Sequence, residues 1–497
     1  MSAPPTSTPR PSPMAASLAK GRLGTSRLLH FSLTAATPLT VIAGGVVVMY
    51  AIAGQSGIPI AYITIAAILA VFAVGYTAMA RHITNAGAMY AFVARGLGRP
   101  AGVGAAWVAA CSYSALQVSL YGLLGLQGAA LIERFTGAVV SWSVPALAAW
   151  ALITVLGTRA VDLNAAVLAV LLAVEIAVVA VFSVSNLLHP AGGSLSFGAL
   201  SPAALTGPGA GALLALAFVG FVGFEAPTVY AEEARDPRRT VARATFATIG
   251  VLTLIYVIAS WSMPVAVGDD QIGQAASADP DLMFTLAGSQ LGAAWFTIGQ
   301  LLLFTSVTAA GLSFHNTVAR YLFALGRERV LPARLGRTSP RTCAPAIASL
   351  AQSGIAGAVI VLWVLLDLDP LVDLFYSVGT SAGIGLIALV TACAVAVLAF
   401  FWRHRSGESA WTARIAPLLA CAALAWVLYL SVAHFHTLLG VDQDALLPRL
   451  VPILVGFLAA AGIVWGLVLR RLLPETYHGI GHGSKAALAP IQETGLR

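Results

Sequence analysis

Two acidic residues stand inside long apolar stretches of this chain. Glu175 lies in the otherwise apolar run Ala169 to Val181, and Glu225 follows the glycine-rich stretch that begins at Phe218. Within lipid such an acid carries protons, pairs with a cation, or ties down backbone that a helix no longer serves. Two glycine clusters offer a second kind of chemistry. One comprises Ala43, Gly44, Gly45 and Val46, and the other Phe218, Gly220, Phe221 and Gly223. A helix broken in mid-membrane frees N–H groups that suit a carboxylate and carbonyls that suit an ammonium group, so paired breaks accept a zwitterion. Enzyme chemistry finds no foothold in a metalloprotease-type helix, because no HExxH occurs. Metal chemistry is no better supported. Cys111, Cys343, Cys393 and Cys421 form no CxxC, His315 stands alone, and His434 with His436 lacks a third ligand nearby. We expect a non-enzyme without cofactor or metal.

The elements that must hold these residues are membrane helices. The chain has 497 residues, 59% hydrophobic and only 9% charged, too few charges to clothe a water-soluble surface of that size. Its net charge of +7 is spread over short hydrophilic breaks rather than along one face, which argues against a nucleic-acid partner. Twenty-five Arg beside two Lys, with abundant Ala, suggest a GC-rich bacterial genome. A helix needs roughly 20 apolar residues to cross a bilayer, and about twelve stretches between residues 33 and 472 qualify. Residues 1–28, rich in Pro, Ser and Thr, read as a flexible tail, and the polar residues 474–497, with the repeat HGIGHG, as a linker-like second tail. Arginines crowd alternate breaks, from Arg22 and Arg27 through Arg238 and Arg239 to Arg470 and Arg471, whereas the other breaks carry Arg134, Arg449 and a series of Asp. The positive-inside rule then places both termini in the cytoplasm of a multi-pass plasma-membrane protein.

The glycine clusters lie in the first and sixth spans, about 180 residues apart, and each opens a group of five spans; the two groups run in opposite senses across the membrane. Corresponding interrupted helices in two inverted halves are the strongest sequence pointer to a transporter's binding site, although glycines in one span alone would equally serve close helix packing. The organisation expected is all-α and membrane-embedded. It has a first repeat over 29–187, an inverted second repeat over 209–401, and two additional helices over 412–472.

Three stretches carry a family resemblance. Gly223 to Ala244 (GFEAPTVYAEEARDPRRTVARA) resembles the sixth-span signature of the amino acid, polyamine and organocation permease superfamily. Asn316 to Pro332 is similar to that family's eighth-span exit, and Asn85 to Gly98 to its loop after the second span. The resemblance covers about residues 30–470 and implies a five-plus-five inverted-repeat core with discontinuous first and sixth helices. It also implies secondary active transport of amino acids or related amines. Two departures stand out. The family's first-span Gly-x-Gly becomes Ala43-Gly44-Gly45, and the fifth-span Lys of many proton-coupled relatives is replaced by Leu172. The resemblance also implies an aromatic gate over the substrate at Phe218 or Phe221.

Glu175 lies about 13 residues past Asp162 and so roughly 20 Å deep. Asn164, eleven residues earlier, shares nearly the same helix face and suggests an inward polar stripe. Glu175 reads either as a replacement proton carrier or as a neutral structural acid bonded to another helix, with attraction of a cationic substrate a third role. Glu225 reads as a tie for the broken backbone or as a second proton site. Glu232 and Glu233, beside Arg235, Arg238 and Arg239, read most simply as a solvated loop, with a share in closing an inner gate as the alternative. Ser306, Thr308 and Ser313 offer the hydroxyls a sodium site needs, a pattern too common to be diagnostic. Tyr113, Gln117 and Tyr121 either line a cavity or simply pack. The main expectation is a proton-coupled or exchanging amino acid permease; the alternatives are a polyamine or organic-amine permease and a transport-inactive sensor. Substrate side chain and oligomeric state are not legible.

Overall fold

The computed structural model describes residues 21, 23–83, 85, 87–159, 162–206, 209–339, 344–404 and 407–483, with side chains in the fifth span from residue 169 onward. The expectations for residues 1–20 and 484–497, for Cys343 and for the side chain of Asn164 lie outside the described residues.

In lipid only a helix can satisfy every backbone group within one segment, and the described chain is accordingly helical almost throughout. Among the described residues ten helices are long and apolar enough to cross a membrane. They include the third, Arg99–Thr136, the seventh, Pro237–Val267, and the eighth, Ala293–Arg327. Two of the expected spans fall short alone. The fourth, Ser143–Gly157, has 15 residues, and the sixth is split into Ala210–Gly220 and Ala226–Val229. The last two, Trp411–Ala433 and Leu446–Leu472, lie where the sequence places the additional pair.

Both tails differ from expectation. The first helix begins at Thr25, and Leu23 is held by an exchange of backbone hydrogen bonds, donating to Glu233 and accepting from Arg235. At the other terminus Pro474–Gly479 forms a short helix and Ile480 is fully buried, so the described part of the second tail is packed rather than linker-like.

The two interrupted helices meet at the centre. A Cβ on Gly223 would press on Ala35 and Ala36, and one on Gly220 would sit 3.1 Å from Val41. Breaks that close require residues without side chains, and Gly223 also adopts a φ of 112°, open to glycine alone at low cost. The long third span forms the spine against which the eighth, tenth and twelfth pack. Gly96, ending the short helix Met89–Gly96, lets that helix approach the tenth span so closely that any Cβ would overlap the Ala396 carbonyl oxygen. We expect Gly96→Ala to cost about 1–3 kcal/mol through overpacking, read as a lowered midpoint of thermal unfolding in detergent.

Candidate functional site

The first helix does not break at its glycine pair. It ends at Ala36, and the chain turns through Thr37 with φ 40° and ψ 74° before restarting at Pro38. Proline cannot donate to the preceding turn, and it pushes the residue before it out of helical geometry. Gly44 and Gly45 fall instead within a wide, π-helical turn over Val41–Val46. This corrects the placement of the first break. The sixth span breaks where its glycines lie, over Phe221–Glu225.

Between the breaks and the end of the bundle that carries the aspartates lies a cavity of about 230 Å³. Its floor is Ala36, Thr37, Thr40 and Val41 of the first span, with Gly220 and Val222 of the sixth. Its walls include Val48, Ile52, Leu116, Leu216, Val219 and Phe314, and the tenth span adds Phe375 and Tyr376. Among the described residues no charged side chain lines it. Of the eight residues singled out in the sequence, Gly45 and Gly220 reach this cavity. Gly44 faces Leu123 and Phe375, while Ala43 and Val46 are buried within the helix packing. Phe218 and Phe221 do not reach it either, and Phe221 packs edge-on to Tyr62 and Tyr256. A sixth-span aromatic gate at those positions is therefore not what the structure holds. One helical face away, Val219 takes the wall, and the aromatic rings at the cavity are Tyr62, Phe314, Phe375 and Tyr376.

The broken backbone is served by side chains from neighbouring spans. The Tyr256 hydroxyl donates to Gly220 O at 2.8 Å and, more weakly, lies 3.3 Å from Ala36 O, so one residue of the seventh span meets a carbonyl at each break. Tyr376 OH reaches the Gly44 carbonyl at 3.4 Å. Glu225 accepts from the Gly223 N–H at 3.0 Å and from the Tyr113 hydroxyl, which assigns it to tying the sixth-span turn. Tyr113 thus packs beneath the site, and Gln117 joins Gln352 and Tyr121 in a buried polar ladder between the third and ninth spans. The role of Tyr256 was missed in the sequence, yet a phenol in mid-span must find an acceptor, and that requirement was the available signal.

Glu175 is 3% exposed and accepts from Ser306 Oγ at 2.8 Å; Thr40 Oγ1 in turn donates to Ser306 at 3.2 Å. A chain of hydroxyls therefore connects the buried acid of the fifth span to the cavity floor. His315 is fully buried and bonded to Ser349.

At the arginine-rich end the cavity is sealed. Arg327 clamps Glu232 through two hydrogen bonds of 3.1 and 2.8 Å, and Arg320 pairs with Glu233 at 2.9 Å while covering the Tyr230 ring. Both pairs are buried, which corrects the solvated-loop reading: the arginines that matter come from the eighth span rather than from the adjoining loop.

Comparison with known proteins agrees with this architecture. The amino acid permease family model matches residues 23–460. The chain belongs to the amino acid permease family. Relatives include a low-affinity putrescine importer of Escherichia coli, 26% identical over 185 residues, or 37% of each chain. A chloroplastic cationic amino acid transporter of Arabidopsis thaliana is 30% identical over 172 residues, covering 33% of this chain and 27% of its own. A branched-chain amino acid permease of Bacillus subtilis is 28% identical over 180 residues, or 35% and 36% of the two chains. The matched stretch spans only about a third of these relatives' length. Membership of a permease family agrees with the candidate membrane spans found among the described residues.

Removing the Tyr256 hydroxyl leaves a buried carbonyl at each break without its donor. Tyr256→Phe should cost about 1–3 kcal/mol of stability and weaken ligand binding, whereas Tyr62→Phe, whose hydroxyl faces only the Met49 sulfur, should cost clearly less. Parallel thermal unfolding with and without ligand checks both.

Proposed function

We propose that this permease moves neutral amino acids with apolar side chains across the plasma membrane by alternating access, with the arginine-rich end in the cytoplasm and both termini there. The observation that carries the reading is the cavity itself, which sets hydroxyls and backbone groups at the floor beneath a wall of aliphatic and aromatic side chains. The first turn after Thr37 presents the N-terminal end of a half-helix, where N–H groups suit a carboxylate. The carbonyl end of the first half-helix, at Ala36, suits the amino group. Nothing charged waits for a substrate side chain. A diamine would need an acid on the wall, and Glu175 stands behind Ser306 rather than at the surface. The putrescine importer among the relatives keeps the amine reading as the alternative to be tested. An open cavity on the aspartate side with paired charges sealed beneath it fits an outward-facing state.

We further propose that Glu175 carries the coupling proton. Binding at Thr40 and protonation of Glu175 share Ser306 as a common partner, so each event alters the hydrogen bonding available to the other.

The experiment is thermal unfolding of the purified protein against a panel of ligands. A true ligand at about 100 times its Kd adds about 2.7 kcal/mol of stability. Leucine or a similar amino acid should raise the midpoint and putrescine should not; the reverse result overturns the substrate assignment. In proteoliposomes, Glu175→Gln should abolish accumulation driven by an imposed proton gradient while changing leucine binding less than about threefold, a difference under about 0.7 kcal/mol. Undiminished gradient-driven accumulation would remove Glu175 from the coupling.

A further inference from the structure

Glu328 follows the last residue of the eighth span and is 2% exposed, yet no arginine or lysine is bonded to it among the contacts described. Its four hydrogen bonds come from elsewhere. One carboxylate oxygen accepts from Asn85 Nδ2 at 3.0 Å and from the N–H of Gly483 at 2.8 Å. The other accepts from the Tyr90 hydroxyl and from the N–H of Gly481 at 2.8 Å. Two donors thus belong to the loop and short helix after the second span, and two to the chain beyond the twelfth.

The glycines explain how the tail grips an acid. Gly481 and Gly483 both have positive φ, 79° and 59°, which turns alternate N–H groups towards one point and makes a backbone nest for an anion. The repeat HGIGHG supplies glycine at both positions, and side chains there would be strained. The seat is reinforced on either side. Ile480 is fully buried, and the Arg99 guanidinium lies 5.2 Å from the centre of the Tyr477 ring. A Cβ at residue 483 would lie 3.3 Å from Arg327 Nη2, so the tail caps the arginine that clamps Glu232.

We infer that Pro474–Gly483 is a latch: seated on Glu328 it holds the arginine-rich end of the permease closed, and it must lift for that end to open. The tail joins the second-span loop to the exit of the eighth span, directly outside the ion pair between the eighth span and the broken sixth. Opening that end separates these elements. The four bonds to Glu328 are polar and can be replaced by water once exposed, which makes that grip reversible. The inference rests on the alternating-access reading but on no particular substrate.

The test measures access to the closed end without any substrate. Ala231→Cys places a thiol beside the Glu232 clamp at a position that is 2% exposed, and its rate of alkylation by a maleimide added from the arginine-rich side reports opening. The same protein without this substitution corrects for Cys111, Cys343, Cys393 and Cys421. Glu328→Gln puts an amide nitrogen, which cannot accept, against one of the two glycine N–H groups, and Gly483→Val strains the nest. Each should speed alkylation by about tenfold, equivalent to one lost charge-assisted hydrogen bond. Cys393, fully buried in the tenth span, reports general unfolding: its own alkylation, followed by peptide mass, should stay at the parent rate in both variants. Alkylation of residue 231 within twofold of the parent in both unlatching variants, or an equal rise at Cys393, would overturn the latch. A permease that fails to bind leucine but passes this test would lose its substrate assignment and keep its latch.

Discussion

Two helices stop in the middle of a bilayer, where no water is at hand to meet the backbone groups they release. An unsatisfied peptide group in hydrocarbon costs several kcal/mol, so the surrounding spans must supply partners or the breaks would close. Tyr256 donates to carbonyls at both breaks, Glu225 accepts from the N–H of Gly223, and Tyr376 approaches the carbonyl of Gly44. Each partner comes from the edge of the cavity or from below it. The amides of the first turn after Thr37, at the floor, are what remains for a ligand. The zwitterion site we propose is in this sense the unfinished part of the backbone's own hydrogen-bond network.

The same economy governs charge. Buried ion pairs cost desolvation that only close geometry repays, and among the described residues they lie at the arginine-rich end, where Glu232, Glu233, Arg320 and Arg327 join the sixth-span exit to the eighth span. Such pairs can part in water and re-form, which an apolar seal of equal area would do less readily. Towards the aspartate side the cavity wall is uncharged. The asymmetry between a polar seal and an apolar vestibule is what gives the two ends different mechanical roles.

How much of this was legible in the sequence differs from element to element. Apolar stretches near 20 residues gave most of the spans, because that length follows from the bilayer alone. The break of the sixth span was legible because Gly220, Gly223 and Pro227 concentrate helix-breaking residues there. The first break was misplaced by about two turns: Gly44 and Gly45 drew attention as glycines, whereas Pro38 acts on the residue before it and needs no glycine. Partners across spans were the part that could not be read. Which arginine meets Glu232, or which hydroxyl meets Glu175, depends on helix rotation and tilt, to which spacing along one helix is blind. The tail repeat looked like linker for a related reason, since a nest is recognised by the acid it encloses, and that acid lies some 150 residues away.

The fourth span has a consequence for the membrane around it. Fifteen residues rise about 22 Å, well under the roughly 30 Å of a typical hydrocarbon core, while the adjacent third span of 38 residues exceeds it comfortably. Lipid bordering Ser143–Gly157 must thin, or the polar flanks of that helix must be drawn inward, at a fraction of a kcal/mol per ångström. A dimple in the bilayer is the expected result beside this helix. Acyl-chain length and bilayer stiffness, acting through that dimple, become physical variables of the transporter in their own right.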